Sequence, residues 1–301
     1  MLTAPPAEPR PAGSVASVSD LERRLAVSGH LARLEESRQV PGSWTLYVDG
    51  TPQSHVELDR PDWLGFEYVR RIGHAIDLVR PEHEPITAVH LGGGALTLPR
   101  YVAATRPGSR QQVVELESDL VDLVREQLPL PRGAQIRVRH GDAREVLAKL
   151  PGGLDGAVDI VVVDIFSGAR TPAHVTSIEF YGLVSPRLAP GGMVAVNVAD
   201  GAGLAFARSQ AATLAHVFPH LAIAADPTML KGRRFGNVVM YASHGELPFA
   251  GLPRRLASDP APAKLVDGAE LRRFIAGAPV VTDATAVPSP PPSRSVFLSK
   301  P

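Results

Sequence analysis

The sequence predicts an α/β fold, in which a doubly wound, mostly parallel sheet of seven strands follows a small N-terminal β-hairpin element. From residue 86 onward, apolar strand-like runs alternate with amphipathic helical segments, a pattern typical of parallel sheets covered by helices. The central run Asp159–Asp164 is nearly all β-branched, as expected of a strand buried on both faces. The dipeptide Asp49-Gly50, which joins two short strand-like runs, indicates the hairpin.

Composition and periodicity divide the chain into four segments. Residues 1–41 are expected to be largely disordered because their first part is rich in Pro, Ala and Ser. Within them, residues 21–36 have the spacing of a short amphipathic helix. Residues 42–84 hold the hairpin and one helix, and residues 85–247 form the α/β domain. Residues 248–301 are predicted to be a Pro-rich tail with one short helix.

The individual elements follow from two periodicities. Apolar runs of about four to eight residues, often β-branched, predict strands, and apolar residues spaced three and four apart predict helices. The predicted strands cover residues 43–48, 54–58, 86–91, 112–117, 135–140, 158–166, 193–198, 221–225 and 237–242. The predicted helices cover residues 64–79, 98–104, 119–127, 143–150, 178–188, 204–218 and 270–276. The last two strands lack a connection of helical length, so we expect them to pair antiparallel at one edge of the sheet.

The composition is that of an ordinary globular protein, with 44% hydrophobic and 21% charged residues among 301. The 31 basic and 31 acidic residues cancel, so no overall field favours nucleic acid or an anionic membrane as a partner. The absence of cysteine excludes disulfides, thiolate metal sites and cysteine nucleophiles. No run approaches the roughly 18 apolar residues of a membrane span, and residues 1–19 lack the pattern of a signal peptide, so we expect a cytoplasmic protein. Only four basic residues are lysine, which is typical of a GC-rich bacterial genome.

A glycine-rich turn, Gly92–Gly94, lies between a predicted strand and a helix that begins near Thr97. Glycines at such a turn let the backbone approach a ligand closely, and the following helix N-terminus offers unpaired N–H groups. Glu115, at the tip of the next strand, is placed to accept hydrogen bonds from a ribose diol. A tight turn alone would also account for the glycines, but the order of strand, glycines, helix, strand and acid favours a nucleoside-containing ligand. Thr97 stands where the dinucleotide fingerprint has its third glycine, so the NAD version of the motif is incomplete.

Polar side chains stand at the ends of the other predicted strands as well. Asp142 follows the third strand, Asp164 ends the fourth, and Asn197 and Asp200 end the fifth. Ligands of open parallel sheets bind beyond the carboxyl ends of the strands, so we expect one crevice to collect these groups. Asp164 ends a very apolar strand, where a carboxylate is costly unless it has a partner or a function, and we interpret it as functional. Asp142 fits equally well as the cap of the following helix or as a ligand-binding group.

Other candidate residues have structural explanations. Glu117 and Asp119 are interpreted as serving the first turn of their helix. Tyr68 and Tyr181 would also fit as amphipathic core residues. His174 lacks companions with which to form a ligand set, so we predict no metal site.

A set of short motifs in this order resembles the spermidine/spermine synthase family, whose members are aminopropyltransferases with the class I methyltransferase fold. The resemblance covers about Tyr47 to Ser243, and the order of the motifs makes it specific. The motifs are Val48-Asp-Gly-Thr-Pro-Gln53, Phe66-Glu-Tyr68 with His74, Gly92–Gly94, Val114-Glu-Leu-Glu117, Gly141-Asp-Ala143, Val163-Asp164, Glu179-Phe-Tyr181, Leu188-Ala-Pro-Gly-Gly192 and Gly236-Asn-Val-Val239.

The resemblance implies a role for each matching position. The residues that bind the donor would be Gln53, Gly92, Gly93, Gly94, Glu115, Asp142 and Ala143, with Glu115 on the ribose and Asp142-Ala143 at the adenine. The residues at the amine substrate would be Tyr68, His74 and Tyr181, and Asp164 would be the general base. Only a neutral amine can attack the carbon beside a sulfonium, and a carboxylate can accept the proton that the amine must lose.

The chain departs from the family pattern at three positions near the cationic substrates. Ala95 stands where the family has an aspartate after the glycines, and Ser167 stands where the catalytic loop has its second aspartate. Arg70 replaces an acid two residues after the tyrosine. These changes remove carboxylates that would compensate positive charge, so they argue against efficient transfer to an ordinary diamine and leave nucleoside binding intact.

We therefore predict a spermidine synthase-like transferase that takes decarboxylated S-adenosylmethionine or S-adenosylmethionine as co-substrate, without a metal. Its partner would be a small-molecule amine, with neither nucleic acid nor membrane involved, and a homodimer is left open. Two alternatives stay open as well: a methyltransferase that uses intact S-adenosylmethionine, and a non-catalytic nucleoside- or polyamine-binding protein.

Overall fold

A four-stranded antiparallel sheet begins the part of the chain that the computed structural model describes, residues 21–291. Its strands, which pair in sequence order, are β1 (Glu22–Arg24), β2 (Leu31–Glu36), β3 (Ser43–Val48) and β4 (Thr51–Glu57). The expected hairpin is therefore β3 and β4, joined through Asp49 and Gly50, and it is only half of this sheet. Residues 1–20, about half of the segment expected to be disordered, lie outside the described residues.

The helix expected over residues 21–36 and the disorder expected up to residue 41 are both wrong for the described part. Ala32 and Leu34 alternate with exposed positions and are buried against the rest of the sheet, with Leu34 opposite Leu46. Gly29 adopts a φ of +73° in the turn between β1 and β2, a conformation that favours glycine. The apolar spacing of this segment is therefore that of two short strands, in which residues two apart share a face.

The second sheet is mixed and mostly parallel, as predicted. Its order is β12-β10-β11-β9-β8-β5-β6-β7. The strands are β5 (Thr87–Leu91), β6 (Arg110–Glu115), β7 (Gln135–His140), β8 (Val158–Val163), β9 (Leu188–Asp200), β10 (His220–Ala225), β11 (Gly236–Ser243) and β12 (Lys264–Val266). Strands β5 to β9 run parallel to one another, whereas β10, β11 and β12 pair antiparallel. The expected antiparallel pair is β10 and β11.

Helices cover both faces of this sheet. They are α1 (Glu67–Leu78), α2 (Thr97–Thr105), α3 (Ser118–Gln127), α4 (Ala143–Ala148), α5 (Ile178–Val184), α6 (Ala205–Val217), α7 (Pro227–Leu230), α8 (Leu252–Ser258) and α9 (Gly268–Ile275). One core lies between the sheet and α4, α5, α6 and α9, and a second lies on the opposite face under α1, α2 and α8. A third core joins the N-terminal sheet to α3. Within residues 21–291, no helix has the length and apolarity needed to cross a bilayer.

The segment after residue 247 contributes more structure than the predicted tail with one helix. It forms α8, the edge strand β12 and α9, so the large sheet has eight strands where seven were expected. Strand β12 has only three residues, which is too short for an alternating hydrophobic pattern to be recognised in the sequence. It is identified by its pairing with Ile223 to Ala225 of β10. The Pro-rich composition of the tail is therefore compatible with an ordered segment, up to residue 291.

Residues 279–289, called here the C-terminal strap, run back over the connection between β8 and α5. The carbonyl of Val281 accepts a 2.9 Å hydrogen bond from the amide of Ile178 at the start of α5. Ser289 is fully buried, and it exchanges hydrogen bonds of 3.0 and 2.8 Å with the backbone of Thr171. Its carbonyl also accepts a 2.6 Å bond from Nε of Arg170. The strap thus fastens the loop that leads away from Asp164.

Candidate active site

A cavity opens at the carboxyl ends of β5, β6, β7 and β8, next to the N-terminal sheet. This is the edge at which ligands of open parallel sheets bind. Nine of the eleven residues singled out from the sequence line it: Gln53, Tyr68, Gly92, Gly93, Gly94, Glu115, Asp142, Ala143 and Asp164. The structure thus brings together side chains that are scattered over more than a hundred positions of the chain.

The glycine turn is required by close approach of two strand ends. Gly92 has a φ of +96°, and a Cβ at this position would collide with the carbonyl oxygen of Asp164. Gly94 has a φ of +49°, and a Cβ there would collide with the hydroxyl of Ser54. At Gly92 a larger residue would push apart the glycine turn and the backbone of Asp164, so this glycine sets the width of the cavity at this point.

Glu115 ties the glycine turn to the tip of β6. Its Oε2 accepts hydrogen bonds from the amides of Gly93 at 2.8 Å and Gly94 at 3.3 Å. Its Oε1 accepts a 3.1 Å bond from the amide of Glu117. A carboxylate has about four acceptor sites, so Glu115 keeps capacity to accept from a ligand hydroxyl while it holds the turn.

Asp142 caps helix α4, one of the two roles left open for it. Its Oδ1 accepts from the amides of Arg144 at 2.9 Å and Glu145 at 3.1 Å. Its Oδ2 lies 2.7 Å from Nε2 of His174, which also lines the cavity. The sequence suggested only a metal-ligand role for His174, because it is 32 residues from Asp142 and no local motif links the two. A ligand role for Asp142 stays a prediction.

The acids at the start of α3 also bind the turn between β1 and β2, next to the cavity. Glu117 accepts from the amides of Val27 at 3.1 Å and Ser28 at 2.7 Å, and Asp119 accepts from the amide of Ala26 at 3.0 Å. Glu117 directly precedes α3 and makes no side-chain cap, whereas Asp119 lies in the first turn of the helix. The turn between β1 and β2 consequently forms one wall of the cavity, which sequence patterns missed because this segment read as helical or disordered.

Asp164 lies at the end of β8 and receives two hydrogen bonds. Nδ2 of Asn197, on the neighbouring strand β9, donates at 2.8 Å, and the phenol of Tyr68 on α1 donates as well. Burial raises the pKa of the Asp164 carboxyl to about 6, against the opposing effect of these two hydrogen bonds. Burial and the Asp164 charge raise the pKa of Tyr68 well above its usual value, so the phenol stays protonated as a donor.

Asn197 is itself oriented by a second amide. Nδ2 of Asn237, on β11, donates a 3.0 Å hydrogen bond to Oδ1 of Asn197. This bond leaves the amide nitrogen of Asn197 directed at Asp164, with the oxygen already occupied. The arrangement yields a carboxylate that is partly dehydrated, held in place from two sides and able to take up a proton near neutral pH.

His74 and Tyr181 do not line the cavity, so the structure does not bring them to the substrate position expected for them. His74 is six residues after Tyr68 on α1, which turns it about 240° around a helix of 3.6 residues per turn, and its Nε2 lies 3.0 Å from Asp259. Tyr181 is buried on α5, where its hydroxyl donates a 3.1 Å bond to Gln210 of α6. Both residues therefore hold the fold together.

The three positions that depart from the family pattern also have defined surroundings. Arg70 donates from Nη1 to the carbonyls of Leu64 at 2.7 Å and Gly65 at 2.8 Å, outside the cavity lining. Ala95 is buried, and Ser167 lies in the loop that lines the cavity. Within the part of the chain that the structure describes, no group of three or more His, Asp or Glu is placed to hold a metal ion.

Comparison with known proteins gives similarity over nearly the whole chain. A crystal structure described as a probable spermidine synthase from Corynebacterium glutamicum is 33% identical, with a TM-score of 0.79 over 90% of this chain and 97% of that chain. Spermidine synthase from Thermotoga maritima shares the fold, with a TM-score of 0.56 at 16% identity over 88% of this chain and 81% of that chain. No protein-family model matches.

A curated relative matches over a shorter range. The polyamine aminopropyltransferase of Vibrio vulnificus (strain CMCP6) is 29% identical over 133 residues. This match covers 44% of this chain and 43% of that protein, so the chain spans less than half the length of the curated relative.

Proposed function

Because the chain belongs to the spermidine synthase family, we propose that it is a transferase that moves an alkyl group from an adenosyl sulfonium donor to an amine. The donor is decarboxylated S-adenosylmethionine or a close relative, which acts as co-substrate, and Asp164 accepts the proton. The observation that carries this proposal is the Asp164 carboxylate, oriented by Tyr68 and Asn197 in the same cavity as Glu115.

The order of the strands supports a donor that extends from Asp142 toward Asp164. Asp142 follows β7 and Asp164 follows β8, and β6 and β5 lie between these two strands. Three strand spacings of roughly 4.8 Å give about 14 Å between the two ends, which suits an adenosyl group with a short alkyl chain. The adenine lies at Asp142, the ribose at Glu115, and the sulfonium beside the glycine turn, next to Asp164.

The reaction follows from this placement. The lone pair of the amine nitrogen attacks the carbon beside the sulfonium, an N–C bond forms, and the C–S bond breaks with its electron pair on sulfur. The products are an alkylated amine and a neutral adenosyl thioether. The attacking nitrogen loses one proton to the Asp164 carboxylate, whose pKa of about 6 leaves it ionised at neutral pH and still basic enough to act.

A second donor is favoured by one contact. The hydroxyl of Ser54 accepts a 3.2 Å bond from the amide of Ala95, so its own hydrogen remains able to donate into the cavity. The methionine carboxylate of intact S-adenosylmethionine would suit such a donor, since Ala95 adds no opposing charge. Methyl transfer is therefore the alternative activity.

The test is turnover by the full chain with each donor in turn, with the Asp164→Asn variant beside wild type. The variant keeps shape and loses proton acceptance, so turnover falls by about 10²–10⁴-fold, and affinity for methylthioadenosine changes far less. Asp122→Asn, at an exposed position of α3, is the matched control. Near wild-type turnover of Asp164→Asn would assign the proton transfer elsewhere. Tight adenosyl binding without turnover on any donor would identify a binding protein instead.

A further inference from the structure

The acids that line the cavity fall into two groups by position. Glu115, Glu117 and Asp142 stand at the ends of β6 and β7, on the side proposed for the donor. Each already binds protein groups: backbone amides at 2.7 to 3.3 Å for the two glutamates, and His174 at 2.7 Å for Asp142. Asp164 alone stands on the other side, and within residues 21–291 no further carboxylate lines the cavity.

The surroundings of Asp164 are otherwise apolar or neutral. The groups that line this side are Gln53, Tyr68, Val69, Ile165, Phe166, Ser167 and Gly168. Gln53 bridges to the loop after β8 through a 3.4 Å hydrogen bond to the carbonyl of Gly168. None of these side chains can compensate a positive charge beyond the one that Asp164 meets.

Acids near this side in sequence point elsewhere. Glu67, next to Tyr68 on α1, pairs with Arg71 at 3.5 Å and Arg234 at 3.7 Å. Glu179 accepts a 2.9 Å bond from the amide of Asp283 in the C-terminal strap. Neither carboxylate lines the cavity, so neither offers a second anchor to a cationic substrate.

A diamine carries two positive charges at neutral pH, because aliphatic amines have a pKa of about 10. One ammonium would meet Asp164, and the second would lie among apolar and neutral groups without a carboxylate to compensate its charge, which is unfavourable. A methyl group in the same place would instead be stabilised by burial. The charge and lining of the cavity thus favour an amine with an apolar end over a diamine.

We propose that the acceptor of this protein is a primary monoamine with an apolar tail, whose amine meets Asp164 and whose tail packs on Ile165 and Phe166. This inference rests on the proposed function and specifies its substrate class. In this transfer the monoamine becomes a secondary amine, the donor becomes a neutral thioether, and one proton passes to Asp164.

The test compares n-pentylamine with 1,4-diaminobutane, which have the same number of heavy atoms and differ in a terminal methyl or ammonium. With the full chain and decarboxylated S-adenosylmethionine, we expect kcat/KM for n-pentylamine to exceed that for the diamine by at least about tenfold. Calorimetric titration of each amine into protein saturated with methylthioadenosine gives the same comparison without turnover.

The outcomes separate this inference from the proposed function. Equal or better use of the diamine, or failure of both amines to bind a protein that binds methylthioadenosine, overturns the inference. Binding of n-pentylamine in preference to the diamine supports the inference. If that preference is found but no donor is consumed, only the proposed transfer reaction fails.

A variant supplies the missing charge. Ser167→Asp places a carboxylate on the loop beside Phe166, and we expect it to raise the ratio of diamine to n-pentylamine kcat/KM by about tenfold. Ser167→Asn, with nearly the same size and no charge, is the matched control and should leave the ratio unchanged. An unchanged ratio in Ser167→Asp would show that the loop does not face the distal end of the amine. That result would overturn the proposed packing of the acceptor's tail against this loop.

Discussion

The hydrogen bond from Tyr68 to Asp164 is expected to set the pH dependence of activity. Tyr68→Phe removes the donor and leaves the ring. The bond stabilises the carboxylate and so lowers the pKa of Asp164, against burial, which raises it. Its loss therefore raises that pKa further. Asp164 accepts a proton only when ionised, so the acid limb of the profile must move to higher pH.

The size of the shift follows from the strength of the bond. A hydrogen bond to a charged group contributes about 1.5–3 kcal/mol, and one pKa unit corresponds to about 1.36 kcal/mol. The acid limb of the pH profile should therefore move up by about one to two pH units, starting from the Asp164 pKa of about 6 in the intact site. At neutral pH the variant would then be largely protonated at Asp164 and slow.

The assay is kcat/KM against pH for wild type and variant with the same donor and amine, so that titration of the substrates cancels in the comparison. Tyr181→Phe is the matched control, since it removes a buried phenol that bonds Gln210 away from the cavity. A limb that stays in place in Tyr68→Phe, or that moves equally in Tyr181→Phe, would refute the reasoning. A shift toward lower pH would reverse the sign assigned to the bond.

Three further predictions concern the walls of the cavity. Glu115→Ala should weaken methylthioadenosine binding by about 1.5–3 kcal/mol in calorimetry, and unchanged affinity would remove this residue from the donor site. Gly92→Ala should lower the free energy of unfolding by about 1–3 kcal/mol more than Gly133→Ala, because both have positive φ but only Gly92 is crowded; equal losses in denaturant titration would contradict this. Ser289→Ala should raise KM for the amine more than it lowers kcat, whereas the exposed control Ser258→Ala should change neither.

The interior of the large sheet could be predicted from the sequence because its elements carry strong periodicity. Ser43–Val48 and Gln135–His140 were predicted to the residue, and the other long strands within five residues at each end. The short edge strand β12 could not, since three residues show no period and tertiary pairing defines them. The first two strands were missed because their apolar spacing also fits a helical face.

The same division holds in the cavity. Glu115, Asp142 and Asp164 were found because they stand at strand ends, where topology alone predicts convergence. His74 lies outside the cavity lining, which its motif could not reveal, since a position within a motif does not say which face of α1 it occupies. The partnership of Asn197 with Asp164 depends on β8 and β9 being neighbours, and the support from Asn237 depends on β11. Such contacts are read from strand order and not from spacing along the chain.

The C-terminal strap has a consequence for how the protein acquires its site. The backbone of Thr171 finds its hydrogen-bond partner in Ser289, which lies 118 residues further along the chain. Chains fold from the N-terminus as they are synthesised, and contacts of large sequence separation form late because closing a long loop costs entropy. A nascent chain that has emerged only through β11 therefore holds every strand around the cavity while one wall is still unfastened. The wall of the site can therefore be fastened only after Ser289 has been synthesised.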